Sequence, residues 1–202
     1  MRFLTDFADQ ALILPLVFAV SIALAAQGWR RGAVVWLAVI GSTFGTMLFL
    51  KIAFLACSPV FGPMDIRSPS GHVAAATVVA GGLAALLTRR AGSILPIACL
   101  AAVVIGFSRI VLGAHSLPEV ALGALVGLAG AAALLRLAGP PPPLKPAPLL
   151  LVIAIVTAVF HGMHLPAEAA IRHTAYRAAK YIDACRPVPG TTPNDPVTQW
   201  HS

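Results

Sequence analysis

Residues 92–113 read GSILPIACLAAVVIGFSRIVLG, a run whose only charged side chain is Arg109. Crossing roughly 30 Å of hydrocarbon takes about 20 mostly apolar residues in a helix. This run is apolar around its whole circumference rather than along one stripe, the pattern of a helix surrounded by lipid and by other helices. Outward from it lie further apolar runs at Ala11–Gln27, Ala33–Leu55, Val73–Thr88, Glu119–Ala138 and Pro148–Leu165, of which the first, third and last are short. The expected fold is therefore all-α, a polytopic membrane helix bundle with about six transmembrane helices over residues 1–165. Residues 166–202 are expected to add an interfacial helix over Pro166–Ala184 and a flexible C-terminal tail. In that helix Ile171, Ala175, Ala178 and Ile182 share one face, with Arg172, Arg177 and Lys180 elsewhere. The first span carries Asp6 and Asp9 ahead of it and no convincing cleavage site, so it is expected to stay as an anchor.

Composition agrees. Of 202 residues, 58% are hydrophobic and 10% charged, against about a quarter charged in ordinary soluble domains. The net charge of +7 is spread as pairs and singles between apolar runs, with no basic stripe interleaved with aromatics, so no nucleic-acid partner is expected. Small residues recur four apart at Gly41/Gly45 and Gly123/Gly127. Such pairs permit close backbone approach, and simple glycine abundance explains them equally well.

Six crossings put both termini on one side. The other side then holds Arg30, Arg31, Arg89, Arg90, Arg136 and Lys145 with no acid, while all seven acids lie on or beside the first. Short loops rich in Lys and Arg mark the cytoplasm, which places the acidic face outside. Trp29 and Trp36, flanking Arg30-Arg31, fit interfacial anchors. Sequence supplies no geometry for a Cys57–Cys185 bond, and unpaired structural cysteines are the preferred reading.

Ionisable residues in or beside membrane helices are costly and usually functional, and here they gather on the acidic face. Lys51 ends one run; Pro69-Ser70-Gly71-His72 opens the next; Ser108-Arg109 closes another; His115-Ser116-Leu117-Pro118-Glu119 leads into the one after. Lys51 and Arg109 supply fixed charge for phosphate oxygens. Ser70 and Gly71 begin a helix, where free N–H groups favour an anion. Two imidazoles can share nucleophile and acid roles near neutral pH, and Glu119 can orient one of them. These parts suit phosphoryl transfer through a phosphohistidine with no metal or cofactor. Each has a plainer reading: Ser70 as an N-cap, Ser116 and Glu119 as a capping box, Lys51 and Arg109 as snorkelling cations. Their convergence on one face is what favours chemistry.

Lys51, Pro69-Ser70-Gly71-His72 and Ser108-Arg109-(five residues)-His115-(three residues)-Glu119 resemble the three-part signature of the type-2 phosphatidic acid phosphatase superfamily, in its integral-membrane branch. The resemblance implies His115 as nucleophile, His72 as acid to the leaving group, and Glu119 as the group orienting His115. It assigns Lys51, Ser70, Gly71 and Arg109 to the phosphate oxygens. Two positions depart from the family pattern. Ser58 stands before Pro59 where the family has arginine, and Arg67 is the candidate replacement cation; Glu119 stands where the family has aspartate. The function implied is hydrolysis of a lipid phosphate or diphosphate from the outer face of a bacterial inner membrane. Phosphatidate, phosphatidylglycerol phosphate, undecaprenyl diphosphate and lipid A phosphates are the implied substrate classes. A lipid phosphotransferase of the same family, or a degenerate lipid-binding or transport protein, is the alternative.

Overall fold

The computed structural model describes residues 6–57, 66–139, 142–163, 167–179, 181, 182 and 185. Ser58-Pro59, most of the connection before Arg67 and the tail beyond Cys185 lie outside them. The described residues form helices and no strand: α1 (Gln10–Ala26), α2 (Arg30–Ala56), α3 (Gly71–Thr88), α4 (Ile94–Val111, preceded by a 3-10 turn, Ala91–Ser93), α5 (Leu117–Ala138), α6 (Pro146–Phe160) and α7 (Ala167–Ala179).

Four of these are long and apolar enough to cross a membrane: α2, α3, α4 with its 3-10 turn, and α5. At 1.5 Å per residue, the 27 residues of α2 reach about 40 Å. The 17 residues of α1 and 15 of α6 reach only about 26 and 22 Å, short of the hydrocarbon thickness. The expectation of about six spans thus resolves into four helices of spanning length and two shorter apolar ones.

Helix α3 is the centre of the bundle, packed against α2, α4 and α5, while α1 packs on α2 and α6. The main core joins Leu12, Val20, Ile40, Val78 and Leu149 from four of these helices. Outward faces are apolar too: Leu100, Val103, Phe107 and Val111 of α4 are all exposed. Against water such a stripe would be a liability; against lipid it is the natural surface. Pro118 and Pro146 sit where lost N–H donors matter least, in the first turns of α5 and α6, whereas Pro15 interrupts the hydrogen-bond ladder inside α1.

Some small-residue and aromatic expectations need correction. Gly123 and Gly127 do mediate a close approach, since a Cβ at Gly127 would stand 2.7 Å from the Ala74 carbonyl and one at Gly123 would strike the Ser70 carbonyl. Gly41 and Gly45 face open space and mediate no contact. Trp36 is not an interfacial anchor: it is buried, and its Nε1 donates to the Val17 carbonyl at 3.0 Å. The reason is its register, which turns the ring inward onto α1 and over Gly82.

The cysteine expectation is overturned as well, because Cys57 and Cys185 form a disulfide. The C-terminal helix α7 packs on α2 with Ala175 buried. Ile182, assigned to its apolar face, lies beyond the helix and is exposed.

The two ends of the bundle differ. At one end Arg31 donates to the Leu137 carbonyl, Arg89 to the Leu144 carbonyl, and the Lys145 N–H to Gln27 Oε1. At the other end lie the C-termini of α2 and α4 and the N-termini of α1, α3, α5 and α7. All the residues singled out for chemistry are at this second end.

Candidate active site

The site rests on a small apolar cluster of Ala8, Val73, Ala102, Ile105 and Val120. This floor fixes the first turns of α3 and α5 and the last turns of α4. Above it Glu119, itself buried, accepts hydrogen bonds through both carboxylate oxygens. Oε1 takes the backbone N–H groups of Arg67 at 2.8 Å and Ser68 at 2.6 Å. Oε2 meets His115 Nδ1 at 2.8 Å and accepts the Ser116 N–H at 3.2 Å. The Ser116 bond closes the capping box of α5, so the same carboxylate that caps the helix also contacts His115. The Ser70 N–H also donates to the Glu119 backbone carbonyl at 3.1 Å. One residue therefore locks the 67–70 segment to the His115 loop.

A carboxylate at Nδ1 selects the tautomer with the proton there and leaves the Nε2 lone pair for chemistry. Burial pushes the His115 pKa below its ordinary value, helped by Arg109 and Lys51 and opposed by the Glu119 hydrogen bond and charge. At neutral pH the ring is thus an uncharged base or nucleophile. His72, in the first turn of α3, lies within electrostatic range of His115, Arg109 and Lys51. Its Nε2 is 3.8 Å from Asp9 Oδ2. Asp9 also caps α1, taking the Ala11 N–H on Oδ1 at 2.8 Å.

Several polar donors at this end are buried without a protein partner among the described residues. Ser70 caps α3 by position but makes no capping hydrogen bond. Its Oγ, the Ser108 Oγ and the Arg109 Nε are buried without a hydrogen-bond partner among the described residues. Buried polar groups are nearly always paired, and each unpaired one costs about 1–3 kcal/mol. Ser70 stands at the N-terminus of α3 and Arg109 within electrostatic range of both histidines, chemistry suited to receiving an anion. Lys51 is buried, and its stem passes the first turn of α3 so closely that a Cβ at Gly71 would sit 3.4 Å from Lys51 Cε. The Arg67 side chain lines an open cleft with Gly113, Ala114, His115 and Ser116.

All the residues singled out in the sequence are therefore brought to one end of the bundle, and Glu119 joins the Arg67 and His115 segments directly. Two carboxylates were not singled out. One is Asp9 beside His72. The other is Glu168 of α7, whose Oε2 and Oε1 meet Lys51 Nζ at 2.6 and 2.9 Å. Burial resists the Glu168 charge, but Lys51 and Arg172 hold its pKa below the ordinary value. The signal for both was the confinement of acids to one face.

Residues 37–140, just over half of the chain, match a family model described as the PAP2 superfamily. The match contains Lys51, Arg67, Ser70, Gly71, His72, Arg109, His115 and Glu119, and excludes Asp9 and Glu168. No curated protein and no solved structure matches the chain. Members of the superfamily are generally phosphatases. The helices, the site and the matched span agree, and this chain belongs to the PAP2 superfamily.

Proposed function

We propose that the protein is an integral-membrane phosphatase that cleaves a lipid phosphate or diphosphate through a phosphohistidine on His115. The observation that carries this reading is the His115 Nδ1–Glu119 contact of 2.8 Å beside unpaired Ser70 Oγ and Arg109 Nε. His115 is then a nucleophile whose tautomer Glu119 selects, next to donors suited to the phosphate oxygens.

In the first step His115 Nε2 attacks phosphorus, and the bond from phosphorus to the leaving oxygen breaks as His72 gives that oxygen its proton. Lys51, Arg109, the Ser70 hydroxyl and the first-turn N–H groups of α3 take the charge on the remaining oxygens. Arg67 replaces the cation that Ser58 does not provide. In the second step water attacks the phosphohistidine, His72 accepts its proton, and inorganic phosphate leaves. Glu119 stays ionised throughout and stabilises the imidazolium.

The lipid assignment is supported by where the site sits. Helices α1, α3, α5 and α7 begin there and apolar helix faces flank it, so an acyl or prenyl tail can remain in lipid while its headgroup meets the site. Phosphatidate, phosphatidylglycerol phosphate, undecaprenyl diphosphate and lipid A phosphates all fit that description. The basic loops at the opposite end support an outward-facing site in a bacterial inner membrane, with six crossings if the flanking residues of the shorter α1 and α6 extend them across the bilayer.

The test is release of inorganic phosphate from a panel of these lipids in detergent. Wild type should release phosphate from at least one, and His115→Ala should release none. A panel in which both proteins are equally inert, or in which His115→Ala turns over fully, overturns the proposal. Appearance of phosphorylated acceptor without free phosphate would assign a transferase instead.

A further inference from the structure

The Lys51 ammonium already holds an anion. Both oxygens of Glu168 reach it, at 2.6 and 2.9 Å, and Ser68 Oγ stands 3.4 Å from Glu168 Oε1. The carboxylate also lies within electrostatic range of Arg109 and His115. Two oxygens on one carbon, bridging a buried ammonium in the candidate site, imitate two oxygens of a phosphate.

An acid in the first turn of a helix has an ordinary use, since it complements the dipole of α7. That use does not require the side chain to cross to α2. The pair is also lopsided: the Lys51 side chain is 6% exposed and that of Glu168 46%. Lys51 would be stranded without an anion, whereas the half-exposed Glu168 carboxylate remains accessible to water. The disulfide from Cys57 to Cys185 ties the chain beyond α7 back to the end of α2. The carboxylate therefore stays at high effective concentration over Lys51.

We propose that Glu168 is an internal competitor for substrate phosphate, occupying Lys51 until a phosphate group displaces it and thereby setting how tightly the site holds anions. This rests on the reading of Lys51 as a phosphate ligand. Competition of this kind weakens every anion by the fraction of molecules in which the site is open. A phosphate monoester, with a charge near −2, outbids a carboxylate of charge −1. The monoanionic phosphodiesters that crowd a membrane surface do so poorly. Glu168 is thus a specificity-determining residue supplied from outside the matched part of the chain.

The experiment is calorimetric titration of inorganic phosphate into detergent-solubilised wild type, Glu168→Gln and Glu168→Asp, alongside phosphate release from lipid. Glu168→Gln should bind phosphate about fivefold more tightly, the scale of an ion pair with one half-exposed partner, and Glu168→Asp should fall between. A Cys57→Ser/Cys185→Ser variant should shift the same way by less. Unchanged or weaker phosphate binding in Glu168→Gln overturns the proposal, since a residue that merely positions Lys51 would give weaker binding. Absence of phosphate binding in both proteins overturns it too. Wild type that binds phosphate but hydrolyses nothing removes the phosphatase reading while leaving the competition measurable. Turnover with unmoved phosphate affinity removes the competition alone.

Discussion

Glu119 is the residue on which the site's geometry turns, because its two oxygens serve the Arg67–Ser68 backbone and His115 at once. Glu119→Gln keeps the volume but removes the charge that stabilises the imidazolium, and turnover should fall about 10²- to 10⁴-fold. The pH profile gives a second check. Burial holds the His115 pKa below its ordinary 6.5, and Glu119 opposes that shift. In wild type the acid limb of kcat/KM should therefore lie below pH 6.5, where His115 takes up its proton. In Glu119→Gln, residual activity should show that limb at still lower pH. Stability follows the same sign: below 6.5 the unfolded chain binds a proton that the folded ring resists, so acid removes stability across that window. Asp9 has a different signature. Set beside His72, it should matter only where the leaving group needs a proton. Asp9→Asn should thus slow an alkyl phosphate about tenfold while barely changing p-nitrophenyl phosphate. Neither Asp9 nor Glu168 could be tied to its partner in the sequence. Lys51 and Glu168 are 117 residues apart, and no local spacing records which helix end a distant chain segment reaches. His115 and Glu119 are four apart at the start of a helix, so that pairing was legible.

Among the helices, the contact between α3 and α5 sets how His72 stands relative to the loop that carries His115. Gly127 lets α5 settle against Ala74 and Thr77 of α3. Adding one methyl group there forces backbone apart, and Gly127→Ala should cost about 1–3 kcal/mol, read as a lower thermal midpoint in detergent. Gly41→Ala and Gly45→Ala, facing open space, should leave that midpoint unmoved or raise it slightly. The two glycine pairs have identical spacing in the sequence. What separates them is which side of a uniformly apolar helix turns inward, and full-circumference apolarity erases that information. Trp36 was misplaced for the same reason, its neighbours on α2 being apolar in every direction. The long runs themselves were easy to read because lipid requires them; the inward face of each was not.

Across the described residues the acids gather at one end of the bundle while cations stand at both: Arg31 and Arg89 tie loops together at the end without acids, and Asp9, Glu119 and Glu168 share the other with Lys51, Arg67 and Arg109. If that sorting orients the bundle as proposed, a cysteine placed at Ala114 should react with a membrane-impermeant maleimide added to intact spheroplasts. One placed at Arg90 should react only after the membrane is opened. The reverse pattern would turn the protein over. The Cys57–Cys185 bond bears on the same question through different chemistry. It lies six residues beyond Lys51, at the end that carries the site. Disulfides persist in oxidising compartments and are rare where glutathione and thioredoxin keep thiols reduced. If the site faces outward as proposed, the bond should be found oxidised in protein taken from intact cells, and free thiols at both positions would count against that orientation independently of any count of cations. The bond also turns residues 57–185 into a covalent ring that holds Arg67, His72, Arg109, His115, Glu119 and Glu168. A single peptide-bond cut anywhere within that ring leaves both fragments joined.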